Sequence, residues 1–173
     1  MTRAVVTTIG RDRPGLVNDL AKLAHDLKLS IEDSRMTVLG GEFAVLMSVS
    51  GGGLALSRLE EKLAQLAEAN GLAYLFRRTS DREGVEGCLP YTVSVTAMDH
   101  PGIVYAVASF FSSRSINIHN LDTVTERAPH TGTPLFSMVM EIEVPPTVRI
   151  AELRDAFFYF CDDRDLDAEF RPA

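Results

Sequence analysis

An internal repeat constrains the fold of this chain more than any other feature of its sequence. Residues 5–17, VVTTIGRDRPGLV, align without a gap with residues 92–104, TVSVTAMDHPGIV, 87 positions further along. The same offset places residues 29–33, LSIED, over residues 116–120, INIHN. Such self-similarity is typical of one supersecondary unit that occurs twice. The sequence therefore predicts two copies of one architecture.

Both copies begin with the same pattern of a strand, a turn and a helix. An alternating, β-branched run opens each copy, at residues 4–9 and 91–97, and predicts a strand with one buried face. The apolar residues that follow recur at helical spacing, from Leu16 in the first copy and from Ile103 in the second. A proline lies just before each helical pattern, where its missing N–H is tolerated.

The remainder of each copy completes a βαββαβ order. The elements predicted in the first copy are strands at 31–38 and 42–49, a helix at 55–69 and a strand at 73–77; those in the second are strands at 117–125 and 135–144, a helix at 150–160 and a strand at 167–170. A short glycine turn at 39–41 joins the first hairpin, and a longer loop at 127–134 joins the second. This order predicts an α+β protein with two ferredoxin-like domains in tandem.

The boundary between the copies falls in a polar segment that contains glycine. We expect a first domain at residues 1–78, a linker at 79–89 and a second domain at 90–173. The glycine run at 51–53 lies between a strand and a helix and lacks the lysine of a phosphate-binding loop. It is therefore interpreted as a flexible turn.

Charge and hydropathy exclude two classes of function. The formal net charge of -7 lacks the basic footprint of a protein that binds nucleic acid directly. The longest apolar runs, residues 43–49 and 104–111, are far shorter than the roughly 20 residues of a membrane-spanning helix. No basic-then-apolar leader opens the sequence. We expect a soluble, cytoplasmic protein that reaches DNA only through a partner and does not bind membranes.

The sequence offers no motif for catalysis, a cofactor or a metal. Cys88 and Cys161 are isolated, without the spacing of a disulfide framework or a zinc site. Nucleophile elbows, Walker loops and dinucleotide-binding glycine patterns are missing. His100 and His119 could bind a metal or transfer protons, but the first copy has arginine and glutamate at these positions, and no third ligand has a fitting spacing. We expect no catalytic residues, no cofactor and no metal.

The two Asp-x-Pro-Gly turns are the strongest candidates for ligand binding. The first N–H groups of a helix have no partner within the helix, and a carboxylate or phosphate can bind to them. We place Gly15 and Gly102 at the second helical position, where the lack of a side chain leaves those N–H groups accessible. Asp12 and Asp99 could accept from a ligand ammonium. The alternative is that both aspartates only cap the helix.

On these strand, turn and helix patterns, over about residues 3–78 and 90–171, the chain resembles a tandem of ACT domains, which are small-molecule sensor modules. Two such units with a short linker are similar to the glycine cleavage system transcriptional regulator family of bacteria. The resemblance implies an amino-acid effector where the turn of one unit meets the second strand of a neighbouring unit. The positions that it assigns are Asp12, Arg13, Gly15, Leu16, Ser30 and Ile31 in the first copy and Asp99, His100, Gly102, Ile103, Asn117 and Ile118 in the second.

One position separates the two implied sites. ACT sites commonly have an asparagine at the start of the second strand, and Asn117 matches this pattern whereas Ser30 does not. A free amino acid suits either site, with its carboxylate on the helix-start N–H groups and its ammonium on strand carbonyls or the turn aspartate.

The leading hypothesis is a non-enzymatic regulatory protein. It would bind a small amino acid, with glycine and serine as the first candidates, and pass the signal to a protein partner such as a transcription factor. The resemblance also implies a homodimer. The alternative is a ligand-free ACT module for interaction and oligomerisation through exposed sheet edges. The aromatic run at residues 157–160 is denser than one helix face needs, so part of it could pack between domains or subunits rather than in a core.

Overall fold

A computed structural model describes residues 2–80, 87–128 and 131–173. The chain folds as two compact units, Met1–Glu83 and Gly84–Ala173. The elements of the first unit are β1 (Thr2–Arg11), α1 (Leu16–Asp26), β2 (Ser30–Leu39), β3 (Glu42–Gly51), α2 (Gly53–Asn70) and β4 (Ala73–Thr79). Those of the second unit are β5 (Leu89–Met98), α3 (Ile103–Ser112), β6 (Asn117–Arg127), β7 (Pro134–Val144), α4 (Ile150–Asp162) and β8 (Asp167–Pro172).

Each unit contains one four-stranded antiparallel sheet. The strand order is β2-β3-β1-β4 in the first unit and β6-β7-β5-β8 in the second. This is the split βαβ arrangement, so the predicted α+β, ferredoxin-like fold is confirmed for both copies. Both second strands carry a register irregularity at the equivalent place, at Glu32 in β2 and at His119 in β6.

Some predicted boundaries differ from the structure. Thr79 and Leu89, which the sequence places in the linker, are the last residue of β4 and the first residue of β5. Residues 81–86 of the predicted linker and residues 129–130 of the predicted loop lie outside the described part of the chain. The glycine run lies between a strand and a helix as predicted, but only Gly52 is outside both elements, since Gly51 ends β3 and Gly53 begins α2. A Cβ at Gly51 would collide with the Leu29 side chain, so close packing explains this glycine.

The helices cover one face of each sheet, and the period-two alternation of the strands places apolar side chains under them. The core of the first unit is mainly aliphatic and includes Val6, Leu20, Leu56, Leu59 and Leu63. The core of the second unit contains a cluster of phenylalanines. Phe157 is fully buried, and its ring contacts those of Phe110, Phe111, Phe158, Phe160 and Phe170. Within the described residues, no helix combines the length and the apolar character needed to cross a membrane.

Cys161 lies in the core of the second unit, where only 1% of its surface is exposed. Burial raises the pKa of its thiol from 9.0 to about 11, and the neighbouring charge of Asp162 acts in the same direction. In the folded state the thiol therefore stays neutral at a pH at which the thiol of an unfolded chain ionises. Its contribution to stability is complete below pH 9 and is lost as the pH rises towards 11.

We therefore expect Cys161 to resist alkylation in the native protein. In a Cys88→Ser variant, Cys161 is the sole thiol of the chain. Iodoacetamide at pH 8 should label this variant at least about 100-fold more slowly in buffer than in urea, because the thiolate is the nucleophile. Mass spectrometry over time measures both rates. Equal rates would show that Cys161 is accessible and would contradict the buried position.

Candidate functional site

A glycine precedes the first residue of both helices that follow the Asp-x-Pro-Gly turns. Gly15 and Gly102 are the residues before the first helical position, with left-handed backbone angles of φ 93° and φ 102°. The expectation that they occupy the second helical position is therefore wrong. Glycine adopts this left-handed backbone conformation at the lowest cost in free energy, because a Cβ would strain the backbone. The chain needs glycine here for its conformation, and the lack of a side chain also leaves the helix start open.

The space around both glycines is accessible. A Cβ on Gly102 would meet no atom within 4 Å, and one on Gly15 would meet only Nη1 of Arg13, at 3.5 Å. No side chain among the described residues caps α1 or α3. The first N–H groups of both helices are thus available to an anion, and the helix dipole favours a negative charge there.

The two turn aspartates do not have the capping role that was the alternative in the sequence. Asp12 and Asp99 are exposed, and neither carboxylate accepts a hydrogen bond from the described residues. Their backbone N–H groups instead donate to the hairpin of the same unit, to the carbonyl of Gly41 at 3.2 Å and to that of Pro134 at 3.0 Å. These bonds hold the turn in place and leave each carboxylate free to bind a cationic group.

The residue between aspartate and proline differs between the turns. Nη1 of Arg13 donates to the carbonyl of Pro14 at 3.1 Å, and Nη2 donates to Asp19 at 2.7 Å and to the side-chain oxygen of Asn70. His100 lies at the equivalent place, with Nδ1 3.1 Å from the carbonyl of Pro101. The first turn therefore contains a guanidinium that α1 and the end of α2 already hold, whereas the second contains a smaller imidazole.

Leu16 and Ile103 do not present side chains to a ligand. Each is 2% exposed and belongs to the core of its unit. Both residues begin a helix, so only their backbone N–H groups face the turn. Their side chains anchor the helix start, which positions the turn.

The strand starts are exposed and polar. Ser30 is the first residue of β2 and pairs with Ser50. Asn117 is the first residue of β6 and pairs with Glu143. Nδ2 of Asn117 donates to Oε2 of Glu143 at 3.0 Å. The side chains of Ile31 and Ile118 follow, with Ile31 exposed and Ile118 half-buried.

The turn and the strand start of one unit lie at opposite ends of its sheet. Asp12 follows Arg11, which pairs with Glu42, whereas Ser30 lies beside Ser50, which pairs with Arg3. Eight residues of β1 separate the two levels, which corresponds to about 25 Å of strand. The second unit has the same geometry, with Asp99 after the last residue of β5 and Asn117 at the level of Pro90. No single unit brings both halves of the predicted site together.

The charged partners of the two strand starts, Arg3 and Glu143, were not identified from the sequence. Glu32 occupies the bulge of β2 and forms an ion pair with Arg3 at 2.6 Å. In the second unit the equivalent bulge contains His119, whose Nδ1 lies 3.7 Å from Glu143. Glu143 lies on β7, next to β6, and Arg3 lies on β1, two strands away from β2, so both contacts depend on strand order and register. The alternation of β7 predicts an outward Glu143, but the sequence does not show which residue it faces.

No group of three or more histidine, cysteine, aspartate or glutamate residues in the described ranges is placed to hold a metal ion. The chemistry that the exposed turns and strand starts offer is hydrogen bonding and charge pairing with a small zwitterion. Main-chain N–H groups can bind its carboxylate, and side-chain carboxylates can bind its ammonium.

One curated relative resembles the chain over most of its length, and another resembles less than half of it. The glycine cleavage system transcriptional repressor of Escherichia coli (strain K12) is 27% identical over 159 residues, which are 92% of this chain and 84% of that protein. A UPF0237 protein of Methanopyrus kandleri is 40% identical over 74 residues, which are 42% of this chain and 82% of that protein.

Two solved structures share the complete fold. A protein of unknown function from Galdieria sulphuraria has a TM-score of 0.79 and 29% identity, with 99% of this chain and 98% of that chain covered. A structure assigned provisionally as a glycine cleavage system transcriptional repressor has a TM-score of 0.73 and 25% identity, with coverage of 98% and 96%. Residues 2–77 match the model of the ACT domain. With the same fold present twice, this chain belongs to the ACT domain family.

Proposed function

We propose that this chain is a non-enzymatic amino-acid sensor of the kind represented by the glycine cleavage system transcriptional repressors. The observation that supports this most directly is the turn that occurs twice with the same geometry. Each turn combines a left-handed glycine, an uncapped helix start and an aspartate whose carboxylate has no partner among the described residues. Relatives that are described as repressors cover 92% of the chain.

The ligand is a small amino acid whose carboxylate binds the N–H groups at the start of α3 or α1. Its ammonium binds carboxylates, namely the turn aspartate and a strand-start acid such as Glu143 from another ACT unit. Since turn and strand start lie at opposite ends of one sheet, two units have to contribute to a complete site. Glycine and serine are the first candidates, because the chain is similar to a repressor of the glycine cleavage system.

The signal is transmitted by linkage. A ligand that binds elements of two units favours the arrangement in which both elements reach it, and it shifts that equilibrium by its difference in affinity for the two arrangements. The chain acts as a cytoplasmic homodimer and transmits the state of its units to a protein such as a transcription factor. The net charge of -7 supports contact with a protein rather than with DNA.

One observation favours a second candidate function. β2 is an edge strand, and nine of its ten residues are exposed, with only Ser34 half-buried. Exposed edges can pair with a strand of another chain. A ligand-free module that assembles through β2 would explain this edge without an effector.

A thermal-shift screen against the twenty amino acids tests the sensor. A ligand at 100 times its Kd stabilises the folded state by about 2.7 kcal/mol, which raises the Tm by several degrees. We expect glycine or serine to give a selective shift and a saturable heat on titration. No shift with any amino acid would contradict the sensor and leave the assembly module.

The Glu143→Gln variant tests the ammonium site. It keeps an acceptor for Asn117 but removes the negative charge, so we expect Kd to rise about five- to tenfold. Glu152→Gln is the matched control, because Glu152 lies on α4 and pairs with Arg149 instead. An unchanged Kd in Glu143→Gln would place the ammonium elsewhere.

A further inference from the structure

The helix face of the second unit contains a groove between α3 and α4 with a volume of about 730 Å³. The rings of Phe110 and Phe160 line its centre, with centroids 4.9 Å apart. Small side chains line both helices beside these rings, among them Ala106, Ser109 and Ala156, and leave the space between the helices open. The groove is thus an apolar depression in which bulky side chains of a binding partner can be buried.

An arginine is stacked on each of these two rings. The guanidinium carbon of Arg114 lies 3.8 Å from the ring centroid of Phe110, and that of Arg164 lies 4.2 Å from the ring centroid of Phe160. α3 connects β5 to β6, which run in one direction, and α4 connects β7 to β8, which run in the opposite direction. The two helices are therefore antiparallel. Both arginines follow the ends of their helices, so they lie at opposite ends of the groove.

The stacking orients both guanidinium groups and leaves donors unused. Nη1 of Arg114 donates to the carbonyl of Phe110 and to Ser113, and Nη1 of Arg164 donates to the carbonyl of Phe160 and to Asp163. Nε and Nη2 of both arginines have no acceptor among the described residues. A guanidinium whose face rests on a ring still offers its edge to a carboxylate.

Two tyrosines on the rims of the groove are exposed to an unusual degree for aromatic residues. Tyr105 on α3 is 79% exposed, and Tyr159 on α4 is 76% exposed. Tyrosine and arginine are the residues that most often contribute the binding energy of protein interfaces. Their concentration around one apolar groove points to a protein partner rather than to a small molecule.

The charge of the groove selects among possible protein occupants. Its charged residues are two arginines and Asp163, which leaves a net charge of +1 on the surface of a chain whose net charge is -7. A second copy that docked by the same face would oppose one positive groove to another. A partner with carboxylates at both ends of an apolar segment is complementary.

We propose that the groove between α3 and α4 binds an amphipathic helix of another protein, with an apolar anchor on Phe110 and Phe160 and a carboxylate at each arginine. This inference deepens the proposed function, because it assigns a surface to the protein partner, but it does not depend on binding of an amino acid. Helix-in-groove recognition of this kind buries a few anchor side chains.

The first unit lacks this surface and supplies the controls. The repeat offset and the strand register place Leu23, Leu27, Leu66 and Asn70 at the positions of Phe110, Arg114, Phe160 and Arg164. Gln65 and Asn18 occupy the positions of Tyr159 and Tyr105. Both residues are exposed. Substitution of Gln65 therefore changes the equivalent surface of the first unit and leaves the groove of the second unit intact.

A phage-displayed library of amphipathic helical peptides, with both flanks of an apolar core randomised, tests the proposal on the full chain. We expect selected peptides to have aspartate or glutamate on both flanks. Tyr159→Ala should weaken their binding at least about fivefold, and combined Arg114→Ser and Arg164→Ser should weaken it at least about tenfold, whereas Gln65→Ala leaves it unchanged. Tyr159 is exposed, so its variant remains folded even if the arginine variants do not.

Three results would overturn the proposal: no selected peptide, peptides with basic flanks, or binding that Tyr159→Ala does not change. Sedimentation gives a fourth. A wild-type dimer that becomes monomeric in Tyr159→Ala would show that a second copy occupies the groove. Peptide binding is measured with and without glycine. Because docking does not depend on the amino acid, failure of the groove abolishes peptide binding in both conditions, whereas failure of the amino-acid site leaves peptide binding intact.

Discussion

Phe157→Ala will lower the free energy of unfolding by about 3–5 kcal/mol, the largest effect that we expect from a single substitution in this chain. Phe157 has no exposed surface, and its ring contacts five other phenylalanine rings. Alanine would leave a cavity that α4 and the sheet cannot close without losing the contacts of the neighbouring rings. Chemical denaturation measures the change.

Tyr159→Ala is the matched control, two residues along the same helix. Its side chain is 76% exposed, so the change in stability should stay within about 0.5 kcal/mol. Hydrogen exchange should show that the loss of protection in Phe157→Ala is greatest in the second unit, where the aromatic cluster lies. A loss of less than about 1 kcal/mol in Phe157→Ala would contradict the buried position of this ring.

Gly102→Val will abolish binding of the amino acid and will also destabilise the second unit by about 1–3 kcal/mol. The backbone of Gly102 has φ 102°, a conformation that a β-branched residue tolerates poorly. The valine side chain would stand over the N–H groups at the start of α3, where we place the ligand carboxylate. Calorimetric titration with the amino acid from the thermal-shift screen measures the binding, and denaturation measures the stability.

A left-handed glycine outside the α3 turn separates strain from blocked access. Gly40 has φ 64° in the hairpin of the first unit, and a Cβ at this position would meet no atom within 4 Å. Gly40→Val should therefore cost stability by backbone strain and leave the affinity of the second site unchanged. If Gly102→Val is folded and binds the amino acid with unchanged affinity, the carboxylate site at α3 is wrong.

The fold could be predicted because local patterns repeat. In the strands, apolar and polar residues alternate, and in the helices apolar residues recur at helical spacing from Leu16 and Ile103. Both patterns depend only on which side chains face a core. The 87-residue offset then shows that both halves solve the same packing problem. Helix and strand bounds differed by only a few residues, because ends depend on hydrogen bonds that apolar patterns do not report.

The chemistry of the turns could be predicted only in part. The sequence indicated an open helix start after each proline, which the structure shows, but placed the glycines two positions too far into the helix. The left-handed angles of Gly15 and Gly102 arise where β1 and β5 have to reverse into a helix, and the bonds from Asp12 and Asp99 to the hairpins fix that reversal. Those bonds join segments about 30 residues apart, so no local pattern contains them.

The sequence by itself determined the duplicated βαββαβ order, the buried stripes and the pair of turns, because each follows from the periodicity of neighbouring residues. Only the tertiary structure decided which groups meet. Strand register placed Glu143 beside Asn117 and separated turn from strand start by the length of a sheet. Helix packing brought Arg114 and Arg164, 50 residues apart, onto two touching rings. Such contacts depend on how elements pack in three dimensions, and a linear pattern does not encode them in a readable form.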